Sequence, residues 1–109
     1  MDKALLRQQK DAVALDALKH YGEVAQVSKA SEELSELAAV LSRITTSMMV
    51  YGGSLQEQYG SDFYGELADV KLLLASIEQG ESFNEEAYLS AIDQKVKALY
   101  ERISRESND

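Results

Sequence analysis

The sequence predicts an all-α protein built as a four-helix bundle. Two observations favour this class. The strong helix formers alanine, leucine, glutamate, lysine and glutamine dominate the chain, and no segment alternates apolar and polar residues as a strand does. With 109 residues the chain has the length of one domain, so residues 1–109 are expected to form a single helical domain. The absence of cysteine excludes disulfides and thiolate metal sites.

The first three helices are predicted from apolar spacing and from glycines that end a helix. The first is expected over about residues 3–20, with Gly22 as its C-terminal stop. The second is expected over 24–49, and the third over 62–79, ending at Gly80.

The fourth helix is expected to begin after the segment ESFNEE and to run to about residue 105. Ser82 and Glu85 have the spacing of a capping box, which marks a helix start. Apolar residues at alternating steps of three and four predict that one side of this helix is buried. These residues are Leu89, Ile92, Val96, Leu99 and Ile103.

The segment YGGSLQEQYGSDFYG, residues 51–65, contains four of the six glycines and is expected to be a loop. Two interpretations of its tyrosines, Tyr51, Tyr59 and Tyr64, stay open. They stack on or close over a bound base, or they pack against a neighbouring subunit.

The charge of the chain restricts its partners. Nineteen acidic and eleven basic side chains give a net charge of −8, which disfavours nucleic acid because its phosphates would be repelled. Charged residues recur every few positions from the N-terminus, so neither a signal peptide nor a membrane span is expected. We expect a soluble, cytoplasmic protein.

Acidic residues occur on the apolar faces of two helices. At about 100° per residue, Glu33 falls within the arc of apolar residues that includes Leu37 and Ile44. Glu36 lies at the edge of this arc and Glu32 lies further out. The third helix repeats the arrangement, with Glu66 inside its apolar arc and Asp69 at the edge.

A buried carboxylate costs several kcal/mol, and facing carboxylates repel each other. A hard cation held between the two helices would offset both terms. Oxygen ligands without histidine or cysteine favour Mg²⁺, or Mn²⁺ in its place, and Mg²⁺ commonly completes its shell with substrate phosphates. The alternative is a set of buried ion pairs with lysine or arginine.

The segment EELSE at 32–36, preceded by YGEVAQVSKA and followed by ELADVKLLL at 66–74, resembles the MazG-like all-α nucleoside triphosphate pyrophosphohydrolases. It is most similar to the small single-domain phage and bacterial type. The superfamily is marked by Glu-Glu-x-x-Glu on one helix and Glu-x-x-Asp on the next. The similarity extends from about Tyr21 to Ile77.

This resemblance implies a hydrolase that converts (d)NTP into (d)NMP and pyrophosphate, with a housekeeping role in the nucleotide pool. It implies that Mg²⁺ is held by Glu33, Glu36, Glu66 and Asp69. Glu33 would be catalytic together with Glu32, which would stand behind the ligands or orient the attacking water.

Lys95 and Arg102 lie seven residues apart on the last helix, and the resemblance implies that they reach the substrate phosphates. Solvated side chains that lie along the helix surface are the alternative. Tyr59 is a candidate for substrate binding. The 29 residues between Glu36 and Glu66 exceed the usual family spacing and leave the nucleotide pocket open.

A homodimer or homotetramer is expected, because Leu72 and Ala75 lie outside the apolar arc of the third helix and the 51–65 segment is rich in tyrosine. Two alternatives to the enzyme remain. One is a non-catalytic helical-bundle interaction or regulatory protein, and the other is a degenerate relative that binds nucleotide without hydrolysing it.

Overall fold

The computed structural model describes the backbone of residues 1–108 and, outside positions 56–61, their side chains. Four helices occur in this part of the chain: α1 Lys3–Tyr21, α2 Glu23–Tyr51, α3 Leu55–Glu78 and α4 Glu85–Asn108. No strand occurs among the described residues. The all-α prediction is therefore confirmed.

Two glycines make the sharp turns between the first three helices. Gly22 has φ 88° and its amide donates to the carbonyl oxygen of Leu18 at 2.8 Å. Gly52 has φ 75° and its amide donates in the same way to Met48 at 2.9 Å. Side chains strongly disfavour this left-handed region, so glycine allows each helix to end in a single residue.

The expected loop over 51–65 is wrong for most of its length. The connection between α2 and α3 is only residues 52–54, and α3 begins at Leu55. Glycine within a helix costs only about 1 kcal/mol, so neighbouring helix formers and packing can override it, as they do at Gly65. The turn forms instead where Gly52 and Gly53 both adopt positive φ.

The start of α4 also differs from the expected capping box. The side-chain oxygen of Asn84 accepts the amide of Ala87 at 3.0 Å, while the carbonyl oxygen of Asn84 accepts the amide of Tyr88. Asn84 is thus the N-cap. Ser82 is not part of a cap and instead donates to Glu23 at the start of α2, at 2.7 Å.

The core lies among α1, α2 and α3. Helices α2 and α3 make the most extensive contact, and α1 packs against both. The buried apolar side chains are small or medium in size, which lets the helices approach closely. They are Ala14, Ala30, Val40, Ile44, Val70 and Ala75. Ala75 was expected outside the core because of its angle on the helix, and this expectation is wrong: Ala75 is buried. Leu72, for which the same was expected, is exposed.

Helix α4 stands apart from this core. Within the described chain it packs along none of the other three helices. The five residues of its apolar stripe are between 43% and 60% exposed, so the prediction that this stripe is buried is wrong for the single chain. The helices that pack together are three rather than four.

A chain of buried hydrogen bonds joins the three packed helices. The side-chain amide of Gln26 on α2 donates to the hydroxyl of Ser76 on α3 at 2.9 Å. Ser76, which is only 1% exposed, donates in turn to the carbonyl oxygen of Ala14 on α1 at 2.7 Å. Each polar group that is withdrawn from water here thus has a partner.

None of the described helices combines the length and the apolar character that crossing a membrane requires.

We predict that Ser76→Ala lowers the free energy of unfolding by about 1–3 kcal/mol, because it leaves both the Gln26 amide and the Ala14 carbonyl without their buried partner. Urea denaturation followed by circular dichroism measures the change. Ser35→Ala is the matched control: Ser35 is exposed and its hydroxyl bonds only within α2, so its effect should stay within about 0.5 kcal/mol. Equal losses in the two variants would contradict the role given to Ser76.

Candidate metal centre

Acidic side chains from α2 and α3 meet where the two helices pack together. The short connection at 52–54 returns α3 along α2, so that Glu33 on α2 faces Glu66 and Asp69 on α3. One carboxylate oxygen from each of these three residues lies within 4.8 Å of the others. The structure thus brings together three of the four expected ligands, from the two helices that the sequence indicated.

The three carboxylates differ in their access to water. Glu33 is only 8% exposed, Glu66 is half-buried and Asp69 is exposed. The Oε2 atoms of Glu33 and Glu66 are buried and have no hydrogen-bond partner among the described residues. A carboxylate oxygen without a partner is costly away from water, so positive charge placed beside these two atoms would stabilise them.

Glu36, the fourth expected ligand, is exposed and lies outside the group of three. It nonetheless contacts the cluster. A hydrogen bond that the protonated Glu36 carboxyl group can donate to the Glu33 carboxylate raises the pKa of Glu36, and repulsion by the charge of Glu33 adds to this rise. Partial desolvation and the charges of Glu66 and Glu32 act in the same direction. Negative charge is therefore crowded around Glu33.

Lys29 is a member of the site that the sequence analysis missed. Its Nζ atom lies 3.3 Å from Oε1 of Glu33 and 3.5 Å from Oε2 of Glu32. The hydrogen bond to Glu33, followed by the charges of Glu32 and Glu33, raises the pKa of Lys29. The signal was available in the sequence, because Lys29 stands four residues before Glu33 on one helix.

Lys29 satisfies the alternative of an ion pair only in part. It contacts one oxygen of Glu33, while the second oxygen and Glu66 Oε2 stay unpartnered in the described structure. Glu32, the other candidate catalytic acid, is exposed and shares the same lysine.

An open groove of about 610 Å³ adjoins the acids and is lined by all three packed helices. Its polar wall includes Lys29, Glu33 and Asp69. The apolar wall is formed by Val13, Ala17, Tyr21, Ala25, Leu72 and Leu73. Volumes of this order hold small organic ligands. Helix α1 had been given no role in the site, although its apolar residues at steps of four could have indicated a face that lines a groove.

The three residues predicted to bind the substrate do not join the acid cluster in the described part of the chain. Lys95 and Arg102 are exposed on α4, where Arg102 Nε lies 4.0 Å from Glu106 Oε1. Neither forms an ion pair with the cluster acids in the described part of the chain. Tyr59 lies outside the residues whose side chains are described.

The residues present fit a hard divalent cation. Three carboxylates from two helices supply oxygen ligands only, the type that Mg²⁺ prefers, and their oxygens lie within 4.8 Å of one another. In addition, the buried Oε2 atom of Glu33 has no hydrogen-bond partner in the part of the chain that the structure describes, so a cation there would satisfy it.

No protein-family model matches this chain, and comparison with the curated proteins and with the solved structures gives no match.

We predict that Glu36→Gln raises the melting temperature at pH 7 in a chelator, because the amide removes a charge that Glu33 and Glu66 repel. In wild type, protonated Glu36 avoids the same repulsion. Because the pKa of Glu36 is raised in the folded state, this contribution to the free energy of unfolding is complete below the ordinary glutamate pKa and is lost as pH rises through the raised value. The difference in melting temperature between the variant and wild type should therefore disappear as pH falls. Melting curves from pH 4 to 8 measure it.

Glu101→Gln, an equal charge change on the exposed surface of α4, is the control and should leave the gap small at every pH. If Glu36→Gln melted below wild type at pH 7, the crowding of charge around Glu33 would be excluded.

Proposed function

We propose that this chain is a Mg²⁺-dependent nucleoside triphosphate pyrophosphohydrolase of the MazG-like kind, which converts (d)NTP into (d)NMP and pyrophosphate in the cytoplasmic nucleotide pool. One observation supports the proposal most. Glu33, Glu66 and Asp69 converge beside an open groove of ligand size, and two of their buried oxygens have no partner among the described residues.

The cation would be held by Glu33, Glu66 and Asp69, with Glu36 close to Glu33. Bound Mg²⁺ supplies positive charge for the phosphates and lowers the pKa of a water molecule. Mn²⁺ has similar preferences for oxygen ligands and is the expected substitute. The chain contributes the placement of the acids, because Glu33 is buried and Glu66 half-buried on two helices that pack together.

The groove suits the nucleoside part of the substrate. Its walls are mostly apolar, and the ring of Tyr21 in the wall can stack on a planar base. Asp69 and Glu33 belong to the same wall, so a nucleoside lying in the groove would direct its phosphates toward the acids. Apolar walls also exclude water from the reacting group.

The reaction breaks the anhydride bond between the α- and β-phosphates, and water supplies the hydroxyl and the proton that the two products gain. Glu32 is exposed beside Lys29 and would orient the attacking water. We propose that the substrate is also contacted by Lys95, Arg102 and Tyr59. For Lys95 and Arg102 this requires that α4 approach the groove of its own or of a second chain.

We predict that wild type releases pyrophosphate from at least one member of a panel of NTPs and dNTPs when Mg²⁺ or Mn²⁺ is present, and that Glu66→Gln and Glu33→Gln abolish this release. Loss of a metal ligand should reduce kcat/KM by about 100-fold or more, since substitution of a residue that only supports a ligand already costs about 10–100-fold. Gln keeps the shape of the side chain, so the helical circular dichroism and the melting temperature in chelator should hold or rise.

Glu101→Gln is the matched control and should keep full activity. If no nucleotide in the panel were hydrolysed, the enzyme would be excluded in favour of a nucleotide-binding relative or an interaction protein. If Glu33→Gln and Glu66→Gln stayed active, or melted far below wild type in chelator, the acids would instead have a structural role as ion-pair partners.

We also propose that the chain forms a homodimer or homotetramer. The apolar stripe of α4 leaves large side chains in water, and a second copy would bury them.

Light scattering at micromolar concentration should give a mass of two or four chains, and Leu99→Asp should reduce it because a charge would be placed in the stripe that assembly would bury. Ser90 lies on the opposite side of α4, about 160° from Ile92, so Ser90→Asp should leave the mass unchanged. A monomeric wild type would exclude the assembly.

A further inference from the structure

Lys29 holds a position between the acid cluster and the groove. Its Nζ atom contacts Oε1 of Glu33, and the residue also lines the groove wall. Glu33, whose carboxylate it contacts, is only 8% exposed, and the other oxygen of that carboxylate has no partner among the described residues. One ammonium group therefore offsets part of a cluster with at least three negative charges.

The lysine is able to leave this contact. Half of its side chain is exposed (51%), and its four-carbon stem allows the ammonium group to move while the backbone of α2 stays in place. A divalent ion bound to Glu33 would place two positive charges within a few ångströms of Nζ. The two cations would repel each other, so the ammonium group and a divalent ion compete for the same carboxylate.

The groove offers the displaced ammonium group a new partner. Lys29, Glu33 and Asp69 line the same groove, so phosphates placed next to the acids also come within reach of the lysine. An ammonium group is a common phosphate ligand, and it forms strong charge-assisted hydrogen bonds with phosphate oxygens.

We infer that Lys29 is the counter-ion of Glu33 in the metal-free protein, that a divalent cation displaces it, and that the released ammonium group then binds the substrate phosphates. This inference rests on the proposed function. It assigns Lys29 two successive partners, an acid before loading and a phosphate after it.

Isothermal titration calorimetry on chelator-treated protein tests the first step with Mn²⁺ alone. Lys29→Met keeps the length of the stem and removes the competing charge, so it should bind Mn²⁺ about two- to fivefold more tightly than wild type, the range expected for a partly exposed ion pair. Lys29→Arg keeps the charge and can hold a carboxylate with two hydrogen bonds, so it should bind Mn²⁺ no more tightly than wild type.

Two control variants separate this contact from the general effect of net charge. Lys71→Met removes a lysine two positions from Asp69 that forms no ion pair within the described structure. Lys97→Met removes a lysine paired with Asp93 on α4, at 2.9 Å. Both should change Mn²⁺ affinity less than Lys29→Met does.

The second step is tested with inorganic pyrophosphate at saturating Mn²⁺. Lys29→Met should bind pyrophosphate about tenfold or more weakly than wild type, while both control variants stay close to it. The same substitution thus strengthens cation binding and weakens phosphate binding. A lysine that only pairs on the helix surface would change neither.

Unchanged or weaker Mn²⁺ binding by Lys29→Met would overturn the inference and leave the metal site intact. Tighter Mn²⁺ binding with unchanged pyrophosphate binding would also overturn it, because Lys29 would then have no phosphate partner. If wild type and all variants failed to bind Mn²⁺ and showed no rise in melting temperature with Mg²⁺, the metal site itself would be wrong, and with it the proposed function.

Discussion

The burial of the Glu33 carboxylate between α2 and α3 is the constraint on which the rest of the site depends. A carboxylate withdrawn from water needs hydrogen bonds or positive charge, and among the described residues Lys29 is the one cation that pairs with Glu33, through one of its two oxygens. Glu66 and Asp69 add negative charge at the same place, and Glu36 responds to it with a raised pKa. The packing of two helices has thus brought acids together at a place where a bound cation would offset their charge.

The surrounding fold holds this locus at the wall of a groove. Sharp turns at Gly22 and Gly52 bring three helices side by side, and the hydrogen bonds from Gln26 through Ser76 to Ala14 connect all three. Gln26 and Ala14 themselves line the groove, so the buried polar chain supports its wall as well as the core. The hydrogen bonds that stabilise the fold therefore also fix the position of the apolar groove wall relative to the acids.

The chain buries little apolar area for its length. Its core consists mainly of alanine and valine, while many leucine side chains on α2, α3 and α4 keep substantial contact with water. A small core provides modest hydrophobic stabilisation, which makes contacts beyond the single chain energetically important. Part of this exposed area is the apolar stripe of α4, the helix that also carries Lys95 and Arg102. Whether α4 approaches the groove is therefore decided by how copies of the chain assemble, and not by the formation of the helix itself.

The sequence by itself determined the helical class, the approximate spans of α1, α2 and α4, and the phase of Glu33 and Glu66 on their apolar faces, because these follow from residue spacing along one helix. It also contained the pairing of Lys29 with Glu33, which follows from their separation of four residues. Only the tertiary structure decided that Gly52 and Gly53, rather than the whole 51–65 segment, form the turn. It alone decided that α1 lines the groove, that Ala75 is buried and that the stripe of α4 is not. Each of these depends on which helices meet, and contacts between segments far apart in sequence are set by packing free energy over the whole chain, which no local pattern records.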